Sequence, residues 1–521
     1  MGIVHDQFLY FDWAKGMAGS GEIDWGSGIQ RFEDFTGEIA ESWETPEIGT
    51  WILKIRRGVH FALNPASEAS RLVNGREFTA DDAVWNIRRY HTDPAYPNAS
   101  TRISYPALAK AVTVEKTGPW EITVKTPVEP WTAFFWTIWG GCAQMMFAPE
   151  VLEKYGNGPN GITDWRHMVG TGPYMLTDYV SGSVATLKKH PNWYKKDPVG
   201  SGKGNQVPYI DTIKISVVPD LSTRLAVMRT GQGDWVSNIE SEDARSLIKT
   251  TPRLKYKRFL PAGGTVPMRV DRQDLPFKDK RVRQALMMAT DFEAMKNDLY
   301  AGDAVIDNWP APVAYTWLHV SMKDMPESVQ ALYKYNPEKA KQLLAEAGYP
   351  KGFKTKIVVE SISARMDVAA VLKAMWGKVG VDLEIQPKES SVFNSILSGT
   401  QEEMILRYSA SPPLLTSVID MTPGRGTLWR ISDPVVLAAY DEMQKYVFLN
   451  MPKVDEIFRK TVPYIVEQAW WIASPTPYSY TIWQPWVKNH YGELGTFNFF
   501  PLWFPYAWID QDLKEQMTGR R

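Results

Sequence analysis

A chain of 521 residues, 44% hydrophobic and 22% charged, has the make-up of a globular protein too long for one core, so two or three domains are expected. Its 58 Lys and Arg nearly balance 59 Asp and Glu with no basic run, which leaves no electrostatic footprint for nucleic acid or an anionic membrane surface. The single cysteine, Cys142, excludes an intrachain disulfide and any CxxC metal or redox motif, and does not choose a compartment.

The first residues, MGIVHDQFLYFDWAKG, carry neither the basic start nor the apolar run of a secretory leader. Residues 38–61 read as strand, turn, strand: Trp51, Leu53 and Ile55 alternate with Thr50, Ile52 and Lys54, and Pro46 to Gly49 supply turn chemistry. The stretch NGREFTADDAVWNIRRY follows at 74–90. Its adjacent Asp81 and Asp82 would point about 100° apart on a helix, so they cannot share a cleft as a catalytic or metal-binding pair. Thr79 with Asp82 three residues on has the form of a capping box, and Ala83, Val84 and Ile87 recur at helical spacing. A helix start is favoured over a metal site. Residues 111–126 predict a hairpin, with Val112, Val114, Ile122 and Val124 flanking a turn at Gly118-Pro119.

The uncharged segment Trp131 to Ala148, WTAFFWTIWGGCAQMMFA, is at the lower edge of membrane-spanning length and is interrupted by Gly140, Gly141, Gln144 and two threonines. A buried helix or a cleft wall fits it better than a membrane span. Residues 174–187 and 211–218 are strand-like, separated by a polar loop whose GSGKG lacks the spacing and the Ser or Thr of a phosphate loop. A helix is expected from Thr223 to Thr230, ending at Gly231. Segments 279–300 and 336–347 are amphipathic, the second with Asn336 as cap and Pro337 behind it. Strand 354–360, helix 365–379 and strand 381–386 form a β-α-β unit.

Enzyme chemistry leaves no positive sign. The seven histidines have no metal-ligand spacing, and there is no GxSxG elbow, dinucleotide fingerprint or calcium loop. A carboxylate pair distant in sequence stays open, so a carbohydrate-active hydrolase is the alternative reading. What stands out is ring content: 22 Trp, 23 Tyr and 20 Phe. Trp131, Phe134, Phe135, Trp136 and Trp139, and the C-terminal TFNFFPLWFPYAW, are denser in rings than a core requires. They suit either cores and domain seams or the wall of a cleft for an amphipathic organic solute.

Eight segments, GEIAESWE, WILKIRRGVHF, NGREFTADDAVWNIRRY, VGTGPYML, HPNWY, ISVVPDLSTRLAVMRTGQGDW, DKRVRQALMMATD and YNPEKAKQLLAEAGYPKGF, occur in an order that resembles the bacterial extracellular solute-binding proteins of family 5. This is the group containing oligopeptide, dipeptide and nickel binders of ABC importers. The resemblance implies an α/β type II periplasmic-binding fold in its large form, with three lobes and a hinged cleft. By similarity, 1–165 is the inserted second domain, 166–258 with 480–521 the discontinuous first lobe, and 259–479 the third domain. It further implies a periplasmic or lipid-anchored cell-surface monomer, without cofactor or metal, that hands a small organic ligand to permease subunits.

Two departures from the family pattern matter. Asp6 to Asp12 already resembles the segment after the family's opening strand, so the start reads as shortened, by design or by a wrong start codon. Family members that read peptides carry a Trp-x-x-Asp pattern whose Asp holds the α-amino group. In EEMILRYSASPPLLT, Arg407 and Ala410 stand at those positions, and Ser390 stands where another ring is usual. An ammonium buried there without its carboxylate would cost several kcal/mol, so ordinary zwitterionic peptides are disfavoured. Arg407 instead suits a carboxylate or another polar acceptor, and Arg365 resembles the region from which dipeptide binders supply an arginine to the ligand carboxylate. Tyr105, Trp136, Trp139, Arg365, Arg407, Tyr408 and Ser409 are the candidate contacts. The solute is left as oligopeptide-like, oligosaccharide or aromatic and carboxylate-bearing.

Overall fold

The computed structural model describes residues 3–24, 31–93, 106–127, 130–139, 146–156, 161–261, 263–307, 309–398, 403–408, 431–493 and 503–520. Tyr105, Ser409, Ala410, Cys142 and residues 496–502 lie outside them. The chain divides into two compact units: 1–239, 243–259 and 480–521 form one, and 240–242 with 260–479 form the other.

In the first unit a four-stranded antiparallel sheet runs in the order Ala40–Glu47, Thr50–Ile55, Glu121–Lys125, Thr113–Gly118. The alternation in its second strand puts Trp51, Leu53 and Ile55 on the buried face, as the period of two requires. The expected hairpin forms, with its first strand beginning at Thr113. Strands Tyr174–Val180, Val184–Lys189 and Thr212–Ser216 form an antiparallel meander. The helix expected at 223–230 spans Leu221–Arg229, because Asp220 takes the cap position and accepts the Thr223 N–H at 2.7 Å.

The TADD stretch starts helix Ala80–His91. The Asp82 carboxylate accepts the Thr79 N–H at 2.8 Å and the Thr79 hydroxyl at 3.0 Å. It also takes both terminal nitrogens of Arg76, at 2.7 and 2.9 Å, while Arg76 holds Glu150 through Nε and Nη2 at 2.7 and 2.8 Å. Asp82 thus serves a helix end and a local ion cluster. Among the described residues, no three His, Cys, Asp or Glu side chains are grouped to hold a metal ion.

In the second unit the β-α-β segment forms as a parallel pair, Lys354–Glu360 beside Asp382–Lys388, with helix Ser363–Gly377 between them. Met404–Ile405 adds to the other side of the first strand. A second sheet orders Arg407–Tyr408, Gly264–Pro267 and Trp471–Ala473. The amphipathic 279–300 segment is two helices, Lys280–Met288 and Phe292–Tyr300. The break has a physical cause: Thr290 is fully buried and its hydroxyl accepts the Trp376 indole N–H at 3.0 Å, while Asp291 caps the next helix through the Ala294 N–H at 2.9 Å. Trp376, Leu286, Phe277 and Ile357 centre the apolar core of this unit.

Candidate functional site

Trp136 and Trp139 belong to the first unit, and Arg365, Arg407 and Tyr408 to the second. Pro130–Ala133 is a helical turn that continues as a π-helix over Phe134–Ile138. Such widened turns recur at functional sites because they re-aim side chains. Most of the rings here nevertheless face inward. Phe134 stacks on Trp51 at 5.3 Å and meets Phe32 and Phe35 edge-on at 5.3 and 5.5 Å. Trp139 is 5% exposed and meets Phe11 and Phe35 edge-on, each at 5.4 Å. Trp136 is half-buried, and the side chain of Phe135 is outside the described set. The segment is therefore largely a core strut, with Trp136 its most accessible described ring. Among the described residues, no helix is long and apolar enough to cross a membrane. The C-terminal rings divide similarly: Trp503 packs on His490 at 4.0 Å and on Trp235 at 5.5 Å, in the interior of the first unit.

In the second unit two of the expected residues come together. The Arg365 guanidinium lies over the Tyr408 ring, 4.8 Å from its centroid, and pairs with the Glu360 carboxylate. The helix expected at 365–379 spans Ser363–Gly377, so Arg365 stands in its first turn. A cation there opposes the positive end of the helix, and Glu360 at the end of the preceding strand offsets that cost. The Tyr408 hydroxyl bonds to Tyr300 and Ser474, and burial pushes its pKa up to about 12, held back by the neighbouring Arg365 charge. Burial likewise raises Tyr300. Both phenols stay protonated at neutral pH and act as hydrogen-bond groups.

Arg407 and Tyr408 are successive strand residues, so they face opposite sides of their sheet. The alternation is visible around them. Met404, Leu406 and Tyr408 pack on the main core, whereas Ile405 joins a separate cluster with Val358 and Phe393. Arg407 shares the Ile405 side, opposite Thr265 in the neighbouring strand. The pair therefore offers a guanidinium on one face and a fixed phenol on the other, and one straight strand cannot aim both at a single ligand.

Gly264 makes this corner possible and was not singled out by sequence reasoning. It pairs across the ladder with Tyr408, and a β-carbon there would stand 2.6 Å from Ser474 Oγ, 2.9 Å from Tyr408 Cζ and 3.0 Å from Tyr408 Oη. The Gly263-Gly264 pair inside a strand pattern is a signal of close backbone approach that could have pointed to it. Tyr300, Glu360 and Ser474 had no comparable local signal.

The family model described as "Bacterial extracellular solute-binding proteins, family 5 Middle" matches residues 34–422. Heme-binding protein A of Haemophilus influenzae is 28% identical over 365 residues, 67% of this chain and 61% of that protein. The glutathione-binding protein GsiB of Escherichia coli O1:K1 / APEC is 29% identical over 335 residues, 63% of this chain and 56% of its own length. The matches thus span about three fifths of those curated relatives. In structure, the periplasmic binding protein DppA from Helicobacter pylori, solved with the peptide STSA, superposes with a TM-score of 0.72 over 98% of this chain and 92% of that one, at 17% identity. That likeness, at so low an identity, establishes the fold as the α/β type II periplasmic-binding architecture. With the family match covering most of its length, the chain belongs to the bacterial extracellular solute-binding proteins of family 5.

Proposed function

We propose that this protein is the substrate-binding component of an ABC importer. It captures a peptide-sized organic solute outside the cytoplasmic membrane and passes it to the permease as a monomer, without making or breaking a bond. The observation that carries the reading is the family match over residues 34–422, and the whole-chain fold likeness agrees with it. In this reading 1–165 is the inserted domain, 166–258 with 480–521 the first lobe, and 259–479 the third domain. Closure of the lobes expels water and lets a few fixed polar groups set orientation.

Arg365, Tyr408 and Trp136 are the contacts that fit best; Arg407, on the opposite face of the strand from Tyr408, is the alternative anchor, and Tyr105 and Ser409, outside the described residues, stay candidates from the sequence alone. Arg365 is already engaged by Glu360, so it offers a ligand carboxylate its remaining N–H groups from a fixed position. Trp139 serves by supporting the wall that carries Trp136. Arginines without the family's amino-group acid favour an oligosaccharide, or an aromatic or carboxylate-bearing solute, over a zwitterionic peptide. Glutathione, haem and short peptides join the candidates, because related proteins carry those names.

The test is mass spectrometry of small molecules released by denaturing freshly purified protein, followed by thermal shifts with each candidate. A bound solute raises stability by RT ln(1 + [L]/Kd), about 2.7 kcal/mol at a hundredfold excess over Kd. Recovery of one solute class unchanged, with a saturable rise in melting temperature, supports the reading. Conversion of the solute into product, or no shift with any class, overturns it.

A further inference from the structure

We propose that the first unit carries a second small-molecule site, a groove that takes a planar organic monoanion between Arg56, Arg57, Trp120 and Tyr194. The groove encloses about 670 Å³ between the end of strand Thr50–Ile55, the tip of the 113–125 hairpin and the loop bearing Tyr194. Its size falls within the usual small-molecule range of about 300–1,000 Å³. All its lining residues belong to one unit, so the site does not depend on how the lobes are disposed.

Two cation-on-ring pairs build it. The Arg57 guanidinium lies 5.6 Å from the Trp120 ring centroid, and Arg56 lies 5.6 Å from that of Tyr194. A guanidinium over a ring can still present edge N–H groups to an acceptor in its plane, the geometry that grips a carboxylate. Arg57 is placed to do this, while Arg56, whose Nε and Nη2 donate to backbone carbonyls, has its Nη1 side left and adds positive charge beside it. Among the described residues, no carboxylate stands at ion-pair distance from either arginine.

The platform is also fixed in advance. The Tyr194 hydroxyl donates to Glu38 Oε2 at 2.8 Å, and Arg56 donates through Nε to the Glu38 carbonyl at 2.8 Å and through Nη2 to the Gly37 carbonyl at 3.3 Å. Glu38 is buried and ion-paired with Lys195, so it anchors ring and guanidinium together. The Trp120 carbonyl accepts the Ile55 N–H at 2.7 Å, which ties the hairpin tip to the neighbouring strand. A site ordered before its ligand arrives avoids most of the side-chain ordering cost of binding. Glu41 and Glu121 share the groove and repel a second negative charge, which selects a monoanion with a flat body.

Indole-3-acetate is the probe, with its neutral amide as control, titrated into the full chain by calorimetry and saturation-transfer NMR. Saturable binding is expected, at least tenfold weaker for the amide and at least tenfold weaker for R57Q and for W120A. R57Q should melt with the parent, because Arg57 is exposed, and W120A, whose ring is half-exposed, should melt only slightly lower and stay folded at the titration temperature. R365Q, which leaves the groove untouched, should keep the parent affinity. No saturable binding by the parent overturns the inference. So does binding that survives in R57Q and W120A, or that is lost in R365Q alone, since the anion would then sit at the proposed solute site.

Discussion

Gly264→Ala is a one-methyl change with a large expected effect. The added carbon would stand 2.6 Å from Ser474 Oγ, 2.9 Å from Tyr408 Cζ and 3.0 Å from Tyr408 Oη, against an optimal carbon separation of about 3.5–4.0 Å. Neither neighbour can retreat freely. Tyr408 has the Arg365 guanidinium over its ring and its hydroxyl bonded to Tyr300. Ser474 donates both its backbone N–H and its hydroxyl to the Gly264 carbonyl, at 2.9 and 3.0 Å. Overpacking of this kind costs about 1–3 kcal/mol, and displacing one buried hydroxyl bond adds about 1 kcal/mol, so a loss of about 2–4 kcal/mol is expected. Urea denaturation gives the midpoint change, and hydrogen exchange of the Gly264, Thr265 and Val266 amides assigns it to this strand. The double variant G264A/S474A removes the nearest clashing atom and should lose less than the sum of the two single changes. A G264A loss below about 0.5 kcal/mol, or strict additivity in the double variant, would refute the argument that the missing β-carbon admits the Tyr408 hydroxyl.

Three further outcomes follow from the same geometry. W139A should cost about 3–5 kcal/mol, because its ring is packed between Phe11 and Phe35, whereas half-buried W136A should cost about 1 kcal/mol and act mainly on solute binding; equal melting losses would contradict this division. R76Q strands Asp82 and Glu150, but the Arg76 side chain is 36% exposed, so solvent screening keeps the expected loss at about 1–2 kcal/mol, below the ~3–5 kcal/mol of a fully buried pair. An unchanged urea midpoint in R76Q would argue that the cap works without the arginine. Burial lowers His5 and His190 to about 4 and His91 to about 3, so these rings stay neutral in the folded chain while unfolded ones protonate near pH 6.5. Their contribution is intact above pH 6.5 and is lost as pH falls from 6.5 toward 4, reaching about 3 kcal/mol for one such histidine. Asp6 works in the opposite sense, since burial raises its carboxyl and favours folding at lower pH. H190Q isolates one histidine, and its stability should fall less steeply between pH 6.5 and 4 than the parent's; parallel curves would refute the assignment.

Local patterns were legible because they are short-range. The period of two in Thr50–Ile55, the cap before Ala80 and the β-α-β alternation at 354–388 depend on residues a few positions apart. Where the sequence reading ran one helix through 279–300, or left 131–139 open between core and cleft wall, a distant partner decided. The break at Thr290 depends on Trp376, and the choice between core strut and cleft wall for 131–139 depended on Phe11, Phe32, Phe35 and Trp51.

The sequence by itself determined the order of elements, the capping role of Asp82 and, through the succession of its motifs, the family. Only the tertiary structure decided that Arg365 covers Tyr408, that Gly264 and Ser474 lie at the hydroxyl end of that ring, and that Arg56 and Arg57 lie over rings beside a groove. The reason is separation along the chain. Gly264, Arg365, Tyr408 and Ser474 meet only once two sheets and a helix have packed, and no local periodicity encodes which rings and charges that packing brings together.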